Sequence, residues 1–397
     1  MEVASIPQEA LDAATDTLSL VDQTTNSTSS ISVTKVPEAL IDTTFSSYTN
    51  LSTNVLGASV LSFSDEWFAE AKNLLTPTPA IRRPGVYVHS GAWYDGWETR
   101  RHNTNPFDWV VVKLGCVGVV EAVEVDTAHF NGNEAPEAGL EGCFIPEGSD
   151  AEAEKQVAEE SWTKWDEILP KQPCGPSQRQ AWKVSGPGVD DKQWTHLRLK
   201  MFPDGGIARL RVYGKVMPPP LVSSAGTERP LEDLAAALNG GVAIECSDQH
   251  FGTKSNLVLP GRGKDMGDGW ETARSRTIGH TDWVIIKLGL RGKSIEKVIV
   301  DTKDFRGNFP RAVKVEGWPA EPSKVALGVD GPPRHDSGGW VSLIDGEKKC
   351  QSDTEHVFEG NELVASVPLE DWVWTHVKMT IIPDGGVKRL RIFGRRA

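Results

Sequence analysis

A short motif that occurs twice constrains the fold of this 397-residue chain more than any other feature. The first copy reads DGWETRR at residues 95–101, and the second reads DGWETAR at residues 268–274. Each copy is followed by a similar apolar run, DWVVVKLG at 108–115 and DWVIIKLG at 282–289. Because the motifs recur in the same order, and because a chain of this length can form more than one core, the sequence predicts two homologous domains.

The charge of the chain excludes one class of partner. The formal net charge is −13 and the isoelectric point is near 5.3. Nucleic-acid binders gain most of their affinity from basic groups that face phosphates, so we expect no nucleic-acid partner. No apolar run approaches the roughly 20 residues that span a bilayer, so we expect no membrane partner either.

The cysteines and the chain ends indicate a compartment. The five cysteines are odd in number and none forms a Cys-x-x-Cys pair, which argues against a zinc ribbon or a disulfide framework and favours a reducing environment. The acidic start, Met1–Ser5, lacks the basic and apolar regions of a secretory signal. Residues 394–397 do not match a Ser-Lys-Leu-type peroxisomal address. We therefore predict a cytoplasmic location and regard a peroxisomal one as less favoured.

Short β-branched runs separated by turns dominate both halves. They lie at 110–113 and 119–125 in the first half, and at 284–287 and 295–300 in the second. Each half then closes with two alternating runs joined by Pro-Asp-Gly-Gly, a strong hairpin signal. Regular helices between the strands are missing. The sequence therefore predicts an all-β fold of two tandem jelly-roll β-sandwich domains with short helical insertions.

Composition divides the chain into four parts. The first is rich in Ser, Thr and acidic residues and too poor in large apolar groups to offset the entropy of ordering, so we expect it to be disordered. Three consecutive prolines at 218–220 indicate a linker. Two insertions, 151–169 and 231–240, are expected to be helical. The predicted parts are the disordered extension 1–47, the first repeat 48–215, the Pro-rich linker 216–230 and the second repeat 231–397.

The duplicated motif holds the strongest candidates for a binding site. An arginine presents a planar fork that matches a carboxylate, so Glu98, Arg100 and Arg101 can form a carboxylate-binding and acid–base cluster. The same residues also fit a surface ion pair beside a tight turn, and the sequence leaves both interpretations open. In the second copy Ala273 replaces the first arginine, and Arg274 is retained.

Aromatic and histidine side chains near the motif are further candidates. Trp97 and Trp270 suit either the core or the wall of a pocket. His102 and His129 have no counterparts in the second half, where other residues are aligned with them. This asymmetry indicates that the two halves are not equal sites, although an isolated histidine is more often structural than catalytic.

The sequence does not identify a cofactor. His196 and His376 begin matched strands, which favours a packing role. Asp248 and His250 are a pair that can hold a metal or move a proton, but no His-x-x-x-His spacing supports zinc. Nucleotide-binding Gly-rich patterns and the Gly-x-Ser-x-Gly elbow are also missing. The metal site is therefore unknown, no cofactor is assured, and a divalent metal is an open alternative.

The repeated motifs as a whole resemble the allantoicase family. Besides the two DGWET stretches and the strands after them, the halves share a VDT…GN pattern at 125–133 and 300–308, and PDGGxxRLR at 203–211 and 383–391. The likeness covers about residues 48–397 and is specific, because many motifs recur in order and in duplicate. It implies a pair of jelly-roll domains of the galactose-binding-like kind.

The resemblance implies hydrolysis of allantoate to ureidoglycolate and urea in purine degradation. Allantoate carries one carboxylate and two ureido groups, so its site needs a guanidinium together with acids or amides. Enzymes similar to this chain are commonly assemblies, so a homo-oligomer is also an open expectation. The residues expected to act in catalysis, with the two glutamates preferred, are Glu98, Glu271, His102 and His129. Those expected to bind the substrate are Arg100, Arg101, Arg274, Asn133, Asn308, Trp97 and Trp270.

A second hypothesis comes from another class of protein. Two tandem β-sandwiches can form a non-catalytic ligand- or carbohydrate-binding protein, because a fold does not fix a function. Release of urea from allantoate distinguishes the two hypotheses.

Overall fold

The computed structural model describes residues 31–146, 151–221, 229–321, 331–364 and 372–397. The strands are β1 (Ser32–Val36), β2 (Thr49–Asn50), β3 (Ser59–Phe63), β4 (Tyr87–Val88), β5 (Gly91–Ala92), β6 (Trp97–Glu98), β7 (Asp108–Asp126), β8 (Glu137–Cys143), β9 (Asp166–Pro173), β10 (Arg179–Ser185), β11 (Trp194–Phe202), β12 (Gly206–Ile207), β13 (Arg209–Val216), β14 (Glu232–Asp233), β15 (Val242–Cys246), β16 (Trp270–Glu271), β17 (Asp282–Asp301), β18 (Ala312–Ala320), β19 (Val341–Ser342), β20 (Lys348–Lys349), β21 (Glu355–Glu359), β22 (Val373–Ile382), β23 (Gly386–Val387) and β24 (Arg389–Arg396). The α-helices are α1 (Ile41–Thr44) and α2 (Ala151–Ala158). Single 3₁₀ turns lie at Glu38–Leu40, Asn54–Leu56, Ala71–Leu75, Ala237–Asn239, Lys254–Val258, Met266–Asp268 and Gly360–Glu362.

One long strand organises each repeat. In the first repeat the N-terminal half of β7 pairs with β3 and β11, and its C-terminal half pairs with β10 and β13. The strand therefore passes from one sheet of the sandwich into the other. In the second repeat β17 does the same, with β15 and β22 along one half and β21 and β24 along the other. The predicted all-β fold with two tandem β-sandwich domains is confirmed.

A glycine in the middle of each long strand allows a close crossing. A Cβ atom at Gly115 would lie 1.9 Å from the carbonyl oxygen of Leu56, and one at Gly289 would lie 2.1 Å from that of Asn239. No side chain fits at such distances. Each long strand therefore needs glycine where a 3₁₀ turn of the same repeat passes over it.

The apolar run of β7 is buried on both faces. Val110 and Val112 belong to the main core between the sheets. Trp109 and Val111 point the other way, into a second cluster that includes Val157 of α2. This double burial explains why the run is continuously apolar rather than alternating.

The cores of the two repeats touch one another. Leu56 of the first repeat is 3% exposed and packs with the core residues of the second. Cys116 of β7 packs against both cores. Contact between the repeats is thus made by side chains from the middle of the first long strand and from the turn that crosses it.

Residues 31–47 differ from the expected disordered extension. β1 pairs along the outer edge of β10, and Ile41 and Phe45 are only 0% and 3% exposed. An Nη atom of Arg179 donates to Asp42 at 2.8 Å and ties this segment to the sheet. Local composition did not reveal this order, because the partners of the segment lie far along the chain. Residues 1–30 of the predicted extension lie outside the described residues.

Both predicted helical segments differ from the expectation: the first is a shorter helix, and the second is not an α-helix. α2 ends at Ala158, and the second part of the insertion 151–169 runs into β9, because Ile168 and Leu169 are buried in the core. Residues 231–240 form β14 and a single 3₁₀ turn that stops at Gly240, where φ is 90°. Of the predicted linker 216–230, residues 222–228 lie outside the described part. Within the described residues, no helix has the length and apolar character needed to cross a membrane.

Candidate active site in the duplicated loops

Three loops meet beside a short strand pair in each repeat. In the first repeat β6, which carries Glu98, pairs with β12, and Glu134 forms a bridge to Gly206 of β12. This pairing brings together the DGWETRR motif, the loop after β7 and the Pro-Asp-Gly-Gly turn. In the second repeat β16 pairs with β23 in the same way.

A carboxylate bonded to an amide occupies the centre of both loop sets. Asn133 Nδ2 donates to Glu98 Oε1 at 2.7 Å, and Asn308 Nδ2 donates to Glu271 Oε1 at 2.5 Å. Glu98 is only 6% exposed, and burial raises the pKa of its carboxyl, although Asn133 and Arg101 partly oppose the rise. Glu98 therefore keeps a proton at a higher pH than an exposed glutamate does.

Arg101 and Arg274 each pair with the aspartate of a Pro-Asp-Gly-Gly turn. Arg101 Nε lies 2.8 Å from Asp204 Oδ1, and Arg274 Nη1 donates to Asp384 Oδ1 at 2.9 Å. Both aspartates are buried, and each also accepts a backbone N–H from its arginine's loop. The conspicuous Pro-Asp-Gly-Gly turns therefore anchor the arginines as well as reverse the chain.

Arg100 is held by its own repeat. Its Nε donates to Asp65 Oδ1 at 3.1 Å, and its guanidinium lies 5.5 Å from the centre of the Trp67 ring. Its counterpart in the second repeat is Ala273, whose backbone N–H donates to Asp248 at 2.6 Å. The ion pair of the first repeat therefore reduces to a single backbone hydrogen bond in the second.

The two motif tryptophans belong to the core. Trp97 and Trp270 are both 0% exposed. Their indole N–H groups donate to the backbone oxygens of Asp65 and Asp248 at 2.7 and 2.8 Å. This burial corrects the expectation that they contact the substrate, because their rings have no surface to offer; they instead fix the position of the adjacent glutamates.

His102 and His129 lie in exposed loops with left-handed backbone, at φ of 65° and 72°. His129 Nε2 is 3.1 Å from the carbonyl oxygen of Ala80. Among the described residues, neither ring is hydrogen-bonded to Glu98, so a catalytic role for them stays a prediction. In contrast, burial lowers the pKa of His196 and His376 to about 4, which keeps both rings neutral near pH 7 and suits a packing role.

The thiols and acids do not assemble a metal centre in the part of the chain that the structure describes. No group of three or more His, Cys, Asp or Glu side chains is placed there to hold a metal ion. The five cysteines are unpaired, and burial raises the pKa of Cys116, Cys174 and Cys350 to about 12. Thiols of this kind are poor nucleophiles. Among the described side chains of these loops, carboxylates, amides and guanidinium groups are therefore better candidates for the chemistry than thiols.

The chain is similar over most of its length to proteins of one family. A family model of the allantoicase repeat matches residues 49–217 and again residues 232–397. An allantoicase from Neurospora crassa is 54% identical over 371 residues, which are 92% of this chain and 97% of that protein. An allantoicase from Saccharomyces cerevisiae is 49% identical over 85% of this chain and 91% of its own.

A solved structure agrees with the sequence comparison. The crystal structure of Saccharomyces cerevisiae allantoicase matches with a TM-score of 0.75 at 43% identity, covering 91% of this chain and 100% of that one. Both repeats carry the loops described above, and both are matched by the same family model. The chain therefore belongs to the allantoicase family.

Proposed function

We propose that this chain hydrolyses allantoate to ureidoglycolate and urea, and that Glu98, Arg101 and Asn133 of the first repeat perform the reaction. The activity is supported by relatives named allantoicase at 49% to 54% identity over most of the chain. One observation supports the choice of residues. The buried Glu98 carboxyl, with its raised pKa, interacts with the Arg101 guanidinium, and the terminal nitrogens of that guanidinium have no hydrogen-bond partner among the residues that the structure describes.

Arg101 provides the anion-binding group. Its Nε faces Asp204, which fixes the side chain, and among the described residues neither Nη atom has a hydrogen-bond partner. Two parallel N–H groups of a guanidinium match the two oxygens of a carboxylate. The free edge of Arg101 can therefore bind the carboxylate of allantoate without first breaking an internal contact.

Glu98 provides the proton. Urea is a poor leaving group until its nitrogen is protonated, and a carboxylic acid that remains protonated can supply that proton. When the bond between the central carbon and this nitrogen breaks, the electron pair stays with the departing urea. The remaining ureido nitrogen stabilises the carbon as an iminium ion, and the Glu98 carboxylate formed in this step lies close to the positive charge.

Water completes the reaction. Its oxygen forms the new bond to the central carbon, and Glu98 takes up the proton that the water releases. The enzyme returns to its starting state, and one water is consumed for each urea and ureidoglycolate formed. Asn133 orients the carboxyl through its hydrogen bond, so that the same group serves first as acid and then as base.

Removal of the Arg101 guanidinium tests substrate binding. We expect Arg101→Gln to raise KM for allantoate at least about tenfold, because a charge-assisted bidentate contact contributes on the order of 1.5–3 kcal/mol. Arg274→Gln is the matched control, since it also breaks an ion pair to a buried aspartate. Urea release is measured on purified protein, with and without prior chelation.

The outcomes separate the hypotheses. Binding of allantoate without urea release by the wild-type chain would favour the non-catalytic ligand-binding alternative. Loss of urea release after chelation would bring a divalent metal into the mechanism. An equal rise in KM in both arginine variants would remove Arg101 from its specific role. A cytoplasmic location and a homo-oligomeric state stay predictions, which fractionation and light scattering can test.

A further inference from the structure

We infer that the chain carries one catalytic centre, in the first repeat, and that the corresponding loops of the second repeat are closed on themselves by Met266 and held closed by Lys388. This inference rests on the proposed function and specifies which copy of the site performs it. The two copies have the same central carboxylate and amide, so the argument depends on the atoms around that pair.

The amide of the second repeat has no free hydrogen. Asn308 Nδ2 donates to Glu271 Oε1 at 2.5 Å and also contacts Met266 Sδ at 3.2 Å. Met266 is 44% exposed, so its thioether covers the amide from the solvent side. In the first repeat Asn133 Nδ2 donates to Glu98, and no second acceptor is found among the described residues. One amide N–H is therefore without an acceptor among the described residues in the first repeat, whereas the matching N–H contacts Met266 in the second.

The guanidinium groups show the same difference. Arg274 uses Nη1 to bind Asp384 and Nη2 to bind the carbonyl oxygen of Gly307 at 2.8 Å. Arg101 contacts its aspartate through Nε, and in the described part of the chain its terminal nitrogens have no hydrogen-bond partner. A carboxylate can dock on the terminal edge of Arg101 directly, whereas on Arg274 it competes with the two internal contacts of the terminal nitrogens.

The length of one loop explains why a methionine covers the amide only in the second repeat. The segment from Asn256 to Asp268 is shorter than the matching segment from Asn73 to Asp95, and it delivers Met266 directly beside Asn308. In the first repeat the longer segment forms the β4–β5 hairpin. The residue at the position of Met266 is Trp93, which contacts this hairpin instead. Its backbone N–H donates to the carbonyl oxygen of Val86, and the Arg83 guanidinium lies 4.8 Å from the centre of its ring.

A buried lysine holds the short segment in place. Lys388 is 0% exposed, and its ammonium contacts the carbonyl oxygen of Asp265, the carboxylate of Asp268 and, at 2.9 Å, Asp304 Oδ2. Because Asp265 precedes Met266 and Asp268 follows it, these contacts hold the chain on both sides of Met266. The first repeat has Ala208 at the position of Lys388 and cannot make them. The residues that keep Met266 over the Asn308 amide are therefore present only in the second repeat.

The test compares matched glutamate variants. We expect Glu98→Gln to lower kcat for urea release at least about 100-fold, within the 10²–10⁴ range typical of general acid–base catalysis. Glu271→Gln should stay within about twofold of wild type. Thermal midpoints are measured for both variants, because each glutamate also accepts a hydrogen bond that contributes to folding.

Equal losses in both variants at unchanged thermal midpoints would overturn the inference but leave the proposed function standing. No urea release by wild-type protein would instead overturn the proposed function. If Glu271→Gln is unstable, the number of allantoate molecules bound to Glu98→Gln decides. Equilibrium dialysis should give one allantoate per chain, and two per chain would show that the second repeat is open.

Discussion

The two repeats share a backbone but stabilise the same aspartate differently. In the first repeat Asp95 accepts a 2.7 Å hydrogen bond from Arg209, and the core position next to that arginine is alanine. In the second repeat the equivalent Asp268 pairs with Lys388, and the neighbouring Arg389 binds only its backbone oxygen. The comparison teaches that duplication has preserved the order of the shared strands, while buried charges and the length of one loop have diverged beside the loops proposed to act.

The difference in buried charge also explains why the second repeat has no histidine at the position of His129. The aligned residue, Asp304, is a partner of Lys388. Without a lysine at position 208, the first repeat has no ammonium for an aspartate to neutralise there. The second repeat therefore combines Lys388 with Asp304, whose charges neutralise each other. The first repeat combines Ala208 with His129, and neither position then needs a counter-charge.

The largest effect is expected from removing the buried ammonium. Lys388→Met should lower the free energy of unfolding by about 2–4 kcal/mol, because it leaves two aspartates without their cation. The loss stays below that of a fully buried pair, since the two carboxylates are 34% and 25% exposed. Denaturant unfolding gives the value. The double variant Lys388→Ala with Asp304→His, which copies the first repeat, should recover part of the loss, and no recovery would contradict the pairing.

A smaller effect is expected on the pH dependence of the reaction. Glu98 must be protonated to release urea, so kcat/KM should fall as pH rises through its raised pKa. The amide of Asn133 acts to lower that pKa. Asn133→Ala should therefore move the alkaline limb to higher pH, and Asn308→Ala should leave the limb in place. A shift to lower pH, or the same shift in both variants, would show that Glu98 is not the group that titrates.

The smallest effect concerns the exchange of Arg100 for Ala273. Arg100 is 66% exposed in its pair with Asp65, so Arg100→Ala should cost no more than about 1 kcal/mol of stability. Ala273→Arg should restore the ion pair to Asp248 and add a few tenths of a kcal/mol. Chemical denaturation of both variants sharpens the comparison, and a large loss in either one would mean that these arginine positions do more than fasten a loop.

The fold could be predicted because its signals are local and repeated. Apolar runs such as 110–113 and turns such as 203–206 each specify a strand or a hairpin from their own residues. β1 could not be predicted in this way, since its residues become ordered only against β10 and through the burial of Ile41. The prediction of a helix over 151–169 failed in its second part for a similar reason: Ile168 is drawn into the core.

The sequence predicted which residue types form the candidate site, but it did not predict which side chains bind each other. Glu98 and Glu271 each lie within hydrogen-bond distance of the asparagine from the VDT…GN pattern of the same repeat, and their role in binding or catalysis stays a prediction. Their partners Asp65 and Asp204 lie far away along the chain, so no local pattern showed which arginine atoms are already occupied. The same distance hid the role of Met266, whose contact with Asn308 depends on the length of a loop.

The N-terminal strand has a consequence for how the two sheets avoid other chains. In the first repeat β1 covers the outer rim of β10, so its backbone donors and acceptors are satisfied from within the molecule. In the second repeat no strand of the described residues covers β21, and Val357 is 40% exposed. If the β21 edges of two chains paired antiparallel about Val357, Glu355 of one chain would lie opposite Glu359 of the other, and like charges oppose that pairing. The sheet edge at β10 is thus protected from other chains by the additional strand β1, and the edge at β21 by electrostatic repulsion.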